Sequence, residues 1–396
     1  MQKKLLALAV AGLISAPAMA QTNVQIYGTI DMGISHLGSG EGIDVGPTER
    51  PMEPAINGSP EPGASPRSRT AIDSGLHTAN RIGLRGQEDL GNGLTGFFQV
   101  ETGFAGDTSS ALSGNRQALL GLRGDFGQVS LGRQWNPARQ FVGNIDPFNN
   151  DSFGAAENFY VVQNRLDNSI VYNSPDFDGF QVDVAYTRNI SGDEETRFSG
   201  QSRGDERMWA IVPTYEHGPL TVGLAYQRSD AGSNTGGTLF GLAGTPLAFG
   251  SDYNGFRQWD IGGAYDFGPV EVSALYGRHK WDVSNISDPE IRQWMIGASA
   301  PVGEAGTIKA SYINSKLDVS NGSDPRAGKW SLGYDHALSA RTNLYAVYTH
   351  VNTNSAGEGL YDAAQVGPRV ETNDADVVTS AGAYESAFAL GIRHSF

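Results

Sequence analysis

The chain has 396 residues with a formal net charge of −15, 52 glycines and no cysteine. The acidity argues against nucleic-acid binding, which needs basic surfaces, and the lack of cysteine excludes a fold held by disulfides. After residue 20, no apolar run is long enough to cross a bilayer as a helix, which excludes a helical membrane protein.

The first twenty residues have the pattern of a secretory signal peptide. Lys3 and Lys4 precede an apolar run over residues 5–14, which is too short to span a bilayer. Ala18 and Ala20 flank Met19 in the small-x-small pattern of a cleavage site. We therefore expect residues 1–20 to be cleaved and residues 21–396 to form one domain. A retained membrane anchor is the alternative interpretation.

Alternating apolar and polar side chains predict strands from the start of this domain to its end. Residues 24–34 place Val24, Ile26 and Ile30 on one face, and Gln25 and Thr29 on the other. The same period of two recurs near residues 182–187, 220–227, 270–277, 308–312 and 387–396. Strands with one apolar and one polar face, repeated this often, are typical of a barrel that contacts lipid on its outside and water on its inside.

Short and long connections alternate between these strands. Short ones contain turn formers, as at residues 89–93, 124–127, 175–179, 217–219, 267–269, 303–306 and 338–341. Long ones cover residues 38–78, 105–114, 136–166, 190–205, 230–256, 282–290, 317–328 and 352–383. This alternation predicts an all-β, up-and-down antiparallel transmembrane barrel of about 16 strands with an aqueous lumen.

Aromatic residues cluster where the predicted strands meet loops. The set is Trp259, Trp294, Trp330, Tyr186, Tyr226, Tyr276 and Tyr312. Tyr and Trp favour the boundary between lipid and water, so the cluster predicts an aromatic girdle around the barrel. Ordinary sheet packing is the alternative.

Four stretches resemble the general diffusion porins of Gram-negative outer membranes. They are residues 24–28 (VQIYG), residues 80–94 (NRIGLRGQEDLGNGL), residues 131–134 (LGRQ) with 144–148 (NIDPF), and the terminal Phe396. The resemblance implies a 16-stranded barrel, usually a homotrimer, that passes ions and small hydrophilic solutes through the outer membrane. It also implies an inward-folded third loop, contact with outer-membrane lipid and lipopolysaccharide, and Phe396 as the signal read by the barrel assembly machinery.

Strand parity and the resemblance together predict a charged pore constriction. Parity turns Arg81 and Arg85 toward the lumen, and it does the same for Glu101 on the next strand. The resemblance adds Arg116, whose own strand is apolar on both faces. We expect these three arginines to face acids across the pore, and the acids are Asp146, Asp151 and Glu101. Solvated charges on the barrel wall, with no constriction, are the alternative.

Arg133 shares its parity with Val129 and Leu131 and is predicted to face outward. An outward arginine at mid-depth in lipid costs about 2–4 kcal/mol. We therefore predict that Arg133 lies in a subunit interface and meets Asp107 of a neighbouring copy. Snorkelling of the side chain to the membrane surface is the alternative.

No sequence motif indicates an enzyme. A Walker loop, HExxH, a Cys pair and GxSxG are missing from the sequence, and no cofactor or metal is predicted. The function that fits best is passive diffusion, with a weak preference for anions. Two alternatives stay open: a substrate-selective channel on the same barrel, and a surface adhesin or receptor built from the long connections.

Overall fold

A computed structural model describes residues 23–39, 68–108, 112–150, 152–158, 165–188, 207–230, 253–283, 288–318, 324–354 and 384–396. The predicted signal peptide and Asp151 lie outside these residues. The strands are β1 Asn23–Ser39, β2 Arg69–Ser74, β3 Arg81–Gly91, β4 Leu94–Gly103, β5 Ser113–Gly124, β6 Gly127–Trp135, β7 Arg165–Asn173, β8 Phe180–Arg188, β9 Arg207–His217, β10 Leu220–Asp230, β11 Tyr253–Asp266, β12 Glu271–Val283, β13 Glu290–Val302, β14 Gly306–Asp318, β15 Arg326–Ala337, β16 Thr342–Thr353 and β17 Tyr384–Ser395. Helix α1 spans Pro137–Ile145, and a 3-10 turn spans Ala156–Asn158.

These segments form one closed antiparallel sheet in which strands adjacent in sequence are neighbours in space. Segments β2 and β3 both pair with β1, so together they make a single interrupted barrel strand, and the barrel has 16 strands. The sheet closes between β1 and β17, from Thr29 opposite Ser395 to Leu37 opposite Ala387. The predicted 16-stranded up-and-down barrel is confirmed.

The two faces of each strand differ as the sequence alternation predicts. In β1, Ile26, Ile30 and Ile34 are exposed on the outer face, whereas Asp31 and Ser35 of the other parity are buried. An apolar outer face suits lipid, and a polar inner face suits water. Among the described residues, no helix is long and apolar enough to cross a membrane.

The prediction that residues 38–78 form one long loop is partly wrong. β1 continues to Ser39, and Arg69–Ser74 forms a strand that pairs with β1. Between β2 and β3 the chain turns toward the lumen, where the backbone N–H groups of His77 and Thr78 donate to the carboxylate of Asp31 at 3.0 and 2.7 Å. Asp31 has a lumen-facing parity and is completely buried. This inward turn is why the second barrel strand is interrupted.

Residues 136–150 and 152–158 cover part of the inner wall. A side-chain carbon at Gly223 of β10 would lie 2.6 Å from the Phe141 ring, and one at Gly333 of β15 would lie 2.7 Å from the Phe148 ring. Both glycines alternate with outward residues, so these contacts fall on the lumen face. Lys329 of β15 donates to the carbonyl of Ala155 at 2.7 Å. A buried apolar core therefore lies inside the barrel, between the wall and this segment.

Candidate functional site

Helix α1 is amphipathic, and its two faces have different neighbours. Asn136 accepts a hydrogen bond from the N–H of Ala138 at 3.0 Å, and Pro137 occupies the first turn, where its missing N–H costs nothing. The apolar residues are buried; they are Ala138, Phe141, Val142 and Ile145. The opposite face carries Arg139, Gln140 and Asn144, and it is turned toward open space. The helix thus shields the inner wall and presents polar groups to the lumen.

A cavity of about 570 Å³ lies between this polar face and the wall formed by β1, β3, β4, β5 and β6. Its polar and charged lining includes Tyr27, Arg81, Arg85, Glu101, Gln117, Trp135, Arg139, Gln140, Asn144 and Asn149, together with the chain end at Phe396. Arg81, Arg85 and Glu101 are thereby brought together with residues of α1. This is the candidate pore constriction.

Glu101 is held by cations and donors of its own wall. The Nε of Arg116 donates to it at 2.7 Å, and both side chains are almost fully buried. The Nε of Arg81 lies 3.7 Å from the other carboxylate oxygen, and the Tyr27 hydroxyl donates to that oxygen at 3.0 Å. The expectation that Glu101 would face these arginines across the pore is wrong. β4 pairs directly with β3 and β5, so Glu101 lies beside them.

Arg85 is the exposed cation of the wall. Its Nε donates to the side-chain oxygen of Gln25 at 2.9 Å, and its guanidinium carbon lies 5.1 Å from the centre of the Tyr27 ring. Both contacts leave the guanidinium charge uncancelled. Arg85 and Arg81 therefore present positive charge to the cavity from β3.

Three arginines lie close to the ring of Trp135 at the end of β6, a contact that was not predicted from the sequence. The guanidinium carbons of Arg165, Arg139 and Arg116 lie 3.9, 4.2 and 5.7 Å from its ring. Arg139 also pairs with Glu157 at 2.7 Å. The available signal was the sequence Asn136-Pro137, which marks a helix start directly after Trp135. The indole anchors the beginning of α1 and sets the position of Arg139 at the cavity.

Asp146 does not face the arginines, contrary to expectation. Its carboxylate accepts the backbone N–H groups of Ala156 at 2.8 Å and of Phe148 and Asn150 at 3.0 Å each. Burial raises the pKa of Asp146 above its ordinary value, although these three hydrogen bonds oppose the rise. Asp146 therefore stabilises the turn after α1 from inside, and it lies outside the cavity lining. The other predicted acid, Asp151, is not among the described residues.

Arg133 and Asp107 each have a partner within the same chain. Arg133 pairs with Asp167 of β7 and donates through Nε to the carbonyl of Asn115 at 2.6 Å. Asp107 accepts a hydrogen bond from the hydroxyl of Ser74. Pairing with Asp167 lowers the cost of an outward arginine. The intersubunit contact between Arg133 and Asp107 stays a prediction.

Phe396 lies at the seam of the barrel. Its N–H donates to the carbonyl of Gly28, and the N–H of Gly28 donates to its carbonyl, both at 3.1 Å. The aromatic ring covers Gly28, where a side-chain carbon would lie 2.5 Å from it. Phe396 thus completes the closure between the first and last strands.

A closed 16-stranded sheet with an apolar outside, a polar inside and a charged internal cavity defines a transmembrane channel of the outer-membrane type. A family described as Gram-negative porin matches residues 7–356. An outer membrane porin protein of Bordetella pertussis is 31% identical, over 87% of this chain and 93% of its own. The outer membrane porin protein 32 of Delftia acidovorans is 29% identical over the full length of both.

Solved structures of outer-membrane proteins have a similar fold. The anion-selective porin from Comamonas acidovorans has 25% identity and a TM-score of 0.70, over 95% of this chain and 100% of its own. OmpT of Vibrio cholerae in its trimer form has 17% identity and a TM-score of 0.64, over 95% and 99%, and shows likeness in fold alone. The chain belongs to the Gram-negative porin family. It is therefore an outer-membrane channel for passive diffusion of ions and small hydrophilic solutes, and the family consists of channels and not of enzymes.

Proposed function

We propose that the channel favours anions and that its constriction is the cavity between β3 and α1. Arg81 and Arg85 supply positive charge to the cavity from the wall, whereas Arg139, on the helix at the other side, is paired with Glu157. The single observation that carries the proposal is the state of Glu101. This acid of the cavity wall is already bound by buried Arg116 and has only 4% of its side chain exposed.

The physical argument concerns local charge. Arg81 keeps 27% of its side chain exposed and Arg85 is more exposed still. In a narrow polar passage with low-dielectric walls, such fixed charges attract anions and repel cations. The chain as a whole is acidic. Charges far from the constriction are nevertheless screened within about 8 Å at physiological salt. The likeness to a structure described as an anion-selective porin supports the same preference.

The test is planar-bilayer recording of the purified protein in a salt gradient. Reversal potentials of the unaltered channel should indicate anion preference, and R81A/R85A should shift them toward cations more than R139A does, because Glu157 already neutralises Arg139. R326A removes an exposed, outward-facing charge from β15, a strand that does not line the cavity, and serves as the matched control. Unchanged reversal potentials in both constriction variants would refute the proposed site, while passive conductance itself would remain.

We also propose that the protein is exported with loss of residues 1–20 and assembles as a homotrimer through the β1–β6 side. An outward Arg133 on β6 and Asp107 after β4 lie on that side, where a neighbour's charges could add to the pairs that each already makes. Mass spectrometry of the mature protein should find Gln21 at its start. R133A should lower the heat resistance of the trimer on gels, and an unaltered trimer would contradict the role of Arg133.

A further inference from the structure

A chain of buried polar side chains crosses the inner wall of the barrel and ends at the start of α1. Its members come from the residue that follows β6 and from strands β10, β11, β12 and β13, and each is at most 2% exposed: Asn136, Gln227, Gln258, Asp260, His279 and Gln293. Polar groups that are shielded from water must bond to one another, and in such a network each bond strengthens the next. The chain is therefore one hydrogen-bonded unit.

Four of these residues, Asn136, Gln227, Gln258 and Asp260, form an amide relay. Asn136 donates through Nδ2 to Oε1 of Gln227 at 2.9 Å, and Gln227 donates through Nε2 to Oε1 of Gln258. Gln258 donates in turn through Nε2 to Oδ2 of Asp260 at 2.7 Å. The strand register allows this, because Gln227 and Gln258 lie directly opposite each other on β10 and β11.

The carboxylate of Asp260 determines the direction of every hydrogen bond in the amide relay. A carboxylate ion can only accept, so Gln258 must turn its NH2 group toward Asp260 and its oxygen toward Gln227. The same orientation is then forced on Gln227, whose oxygen is left to accept from Asn136. His279 supports this direction from the other side, since its Nε2 donates to Oδ1 of Asp260 at 2.9 Å. The orientation of three amide groups therefore follows from one acid.

The last amide of the relay is the N-cap of α1. With its Nδ2 turned to Gln227, Asn136 presents Oδ1 to the helix, and this oxygen accepts the N–H of Ala138 at 3.0 Å. The opposite orientation would set an NH2 group against that N–H and leave the first turn uncapped. The first turn carries Arg139 and Gln140, and both line the cavity. The orientation of the Asn136 amide therefore affects the residues that α1 presents to the pore.

We propose that Asp260 is a positioning residue of the channel, which orders the first turn of α1 through the amide relay. Asp260 does not line the cavity, so it acts on Arg139 and Gln140 only through the intervening amides. A neutral amide in place of Asp260 both donates and accepts, so the relay could run in either direction and α1 would alternate between capped and uncapped states. The consequence for the current rests on the cavity being the constriction, whereas the consequence for the order of α1 does not.

The experiment measures backbone hydrogen exchange of α1 by mass spectrometry in the detergent-solubilised folded protein. We expect about fivefold faster exchange in the first turn of D260N, because the uncapped state becomes populated. Open-channel current noise should rise in the same variant as Arg139 and Gln140 move. D183N is the matched control, since Asp183 also lies on the inner wall and accepts from an amide, that of Asn173 at 2.7 Å, but belongs to no relay that reaches α1. D183N should leave both measurements unchanged.

A swap that preserves charge separates positioning from a purely local role of Asp260. In D260N/Q227E the carboxylate moves to β10, where it accepts directly from Asn136 and again fixes the cap of α1. The amide introduced by D260N still accepts from His279, so the network stays satisfied. Exchange in α1 and current noise should both return to the values of the unaltered protein. A role limited to pairing with His279 predicts no such recovery, because the acid is then on another strand.

Q258L provides a second arm if D260N does not fold. It interrupts the relay between Asp260 and Gln227 and keeps the pair that Asp260 forms with His279, so the same increase in exchange is expected. Unchanged exchange of α1 in D260N or in Q258L would overturn the proposal. So would an equal increase in D183N, or no recovery in D260N/Q227E. Faster exchange with unaltered current noise would uphold the role of Asp260 in ordering α1 and would instead refute the cavity as the constriction.

Discussion

At the scale of single residues, Glu101 shows how a buried acid can set the electrostatics of a pore that it hardly touches. It neutralises Arg116 inside the wall and leaves Arg81 and Arg85 to act on the lumen. A buried ion pair contributes little net stability. Removal of one partner is nevertheless strongly destabilising, because the other charge is then buried without a counter-charge.

We therefore expect E101Q to destabilise the folded barrel by about 3 kcal/mol, since Arg116 would remain buried without its counter-charge. The same variant should become more anion-selective, because a negative charge has gone from the cavity wall. Urea unfolding in lipid vesicles and reversal potentials measure the two effects. E304Q changes an exposed turn residue and should do neither. An E101Q channel with unaltered stability would show that Arg116 does not depend on this pair.

Trp135 allows a second residue-scale prediction. Loss of the ring in W135L removes the surface on which Arg139 and Arg165 lie, at about 0.5–2 kcal/mol for each cation–π contact. We expect lower thermal stability and a weaker anion preference, with W135F recovering most of both because it keeps an aromatic face. If W135L and W135F behave alike, packing volume and not the ring face positions Arg139.

At the scale of elements, the position of α1 depends on glycines in the opposite wall. G223V would place a side chain where the Phe141 ring now lies. Overpacking of this kind costs about 1–3 kcal/mol and pushes the helix toward β3. Single-channel conductance should fall as the cavity narrows. A346V adds a side chain of the same final size on the outer face of β16 and is expected to conduct normally. A G223V channel with full conductance would indicate that α1 yields in another direction.

The strands could be predicted from sequence, but the inner elements could not. A barrel wall imposes a period of two on every strand, so Ile26 and Asp31 reveal their faces directly. β2 was missed because Arg69–Ser74 is short and mostly polar. Asp146 was misplaced because side chains in a loop follow no period. Its hydrogen-bond donors, Phe148 and Ala156, are determined only when residues 136–150 and 152–158 pack against the wall.

At the scale of the whole molecule, the cavity is formed by strands and a helix that are distant from one another in sequence. Arg81 and Arg85 were correctly turned inward by parity, yet the helix that completes their cavity comes from beyond β6. Strand parity predicts which face of the barrel a residue lies on. It does not predict the residue's depth along the barrel axis or its contacting residues. This is why Glu101 was predicted on the correct face and opposite the wrong neighbours.

Closure of the barrel gives the last prediction. F396A removes the ring that covers Gly28 while keeping the two backbone hydrogen bonds of the seam. If Phe396 is the signal read by the barrel assembly machinery, less protein should reach the heat-modifiable folded form in cells. Refolding of purified protein into detergent should change much less. F177A alters an exposed aromatic residue of a turn and is the control. Equal losses in cells and in detergent would assign Phe396 to stability alone.

The meeting of β1 with β17 also constrains how the molecule is made. β1 is synthesised long before β17, its hydrogen-bonding partner. Until then its free edge is open to mispairing and aggregation, and contacts so remote along the chain form slowly. Closure of the cylinder therefore waits until β17 is available, and the edge of β1 must be kept from mispairing until then.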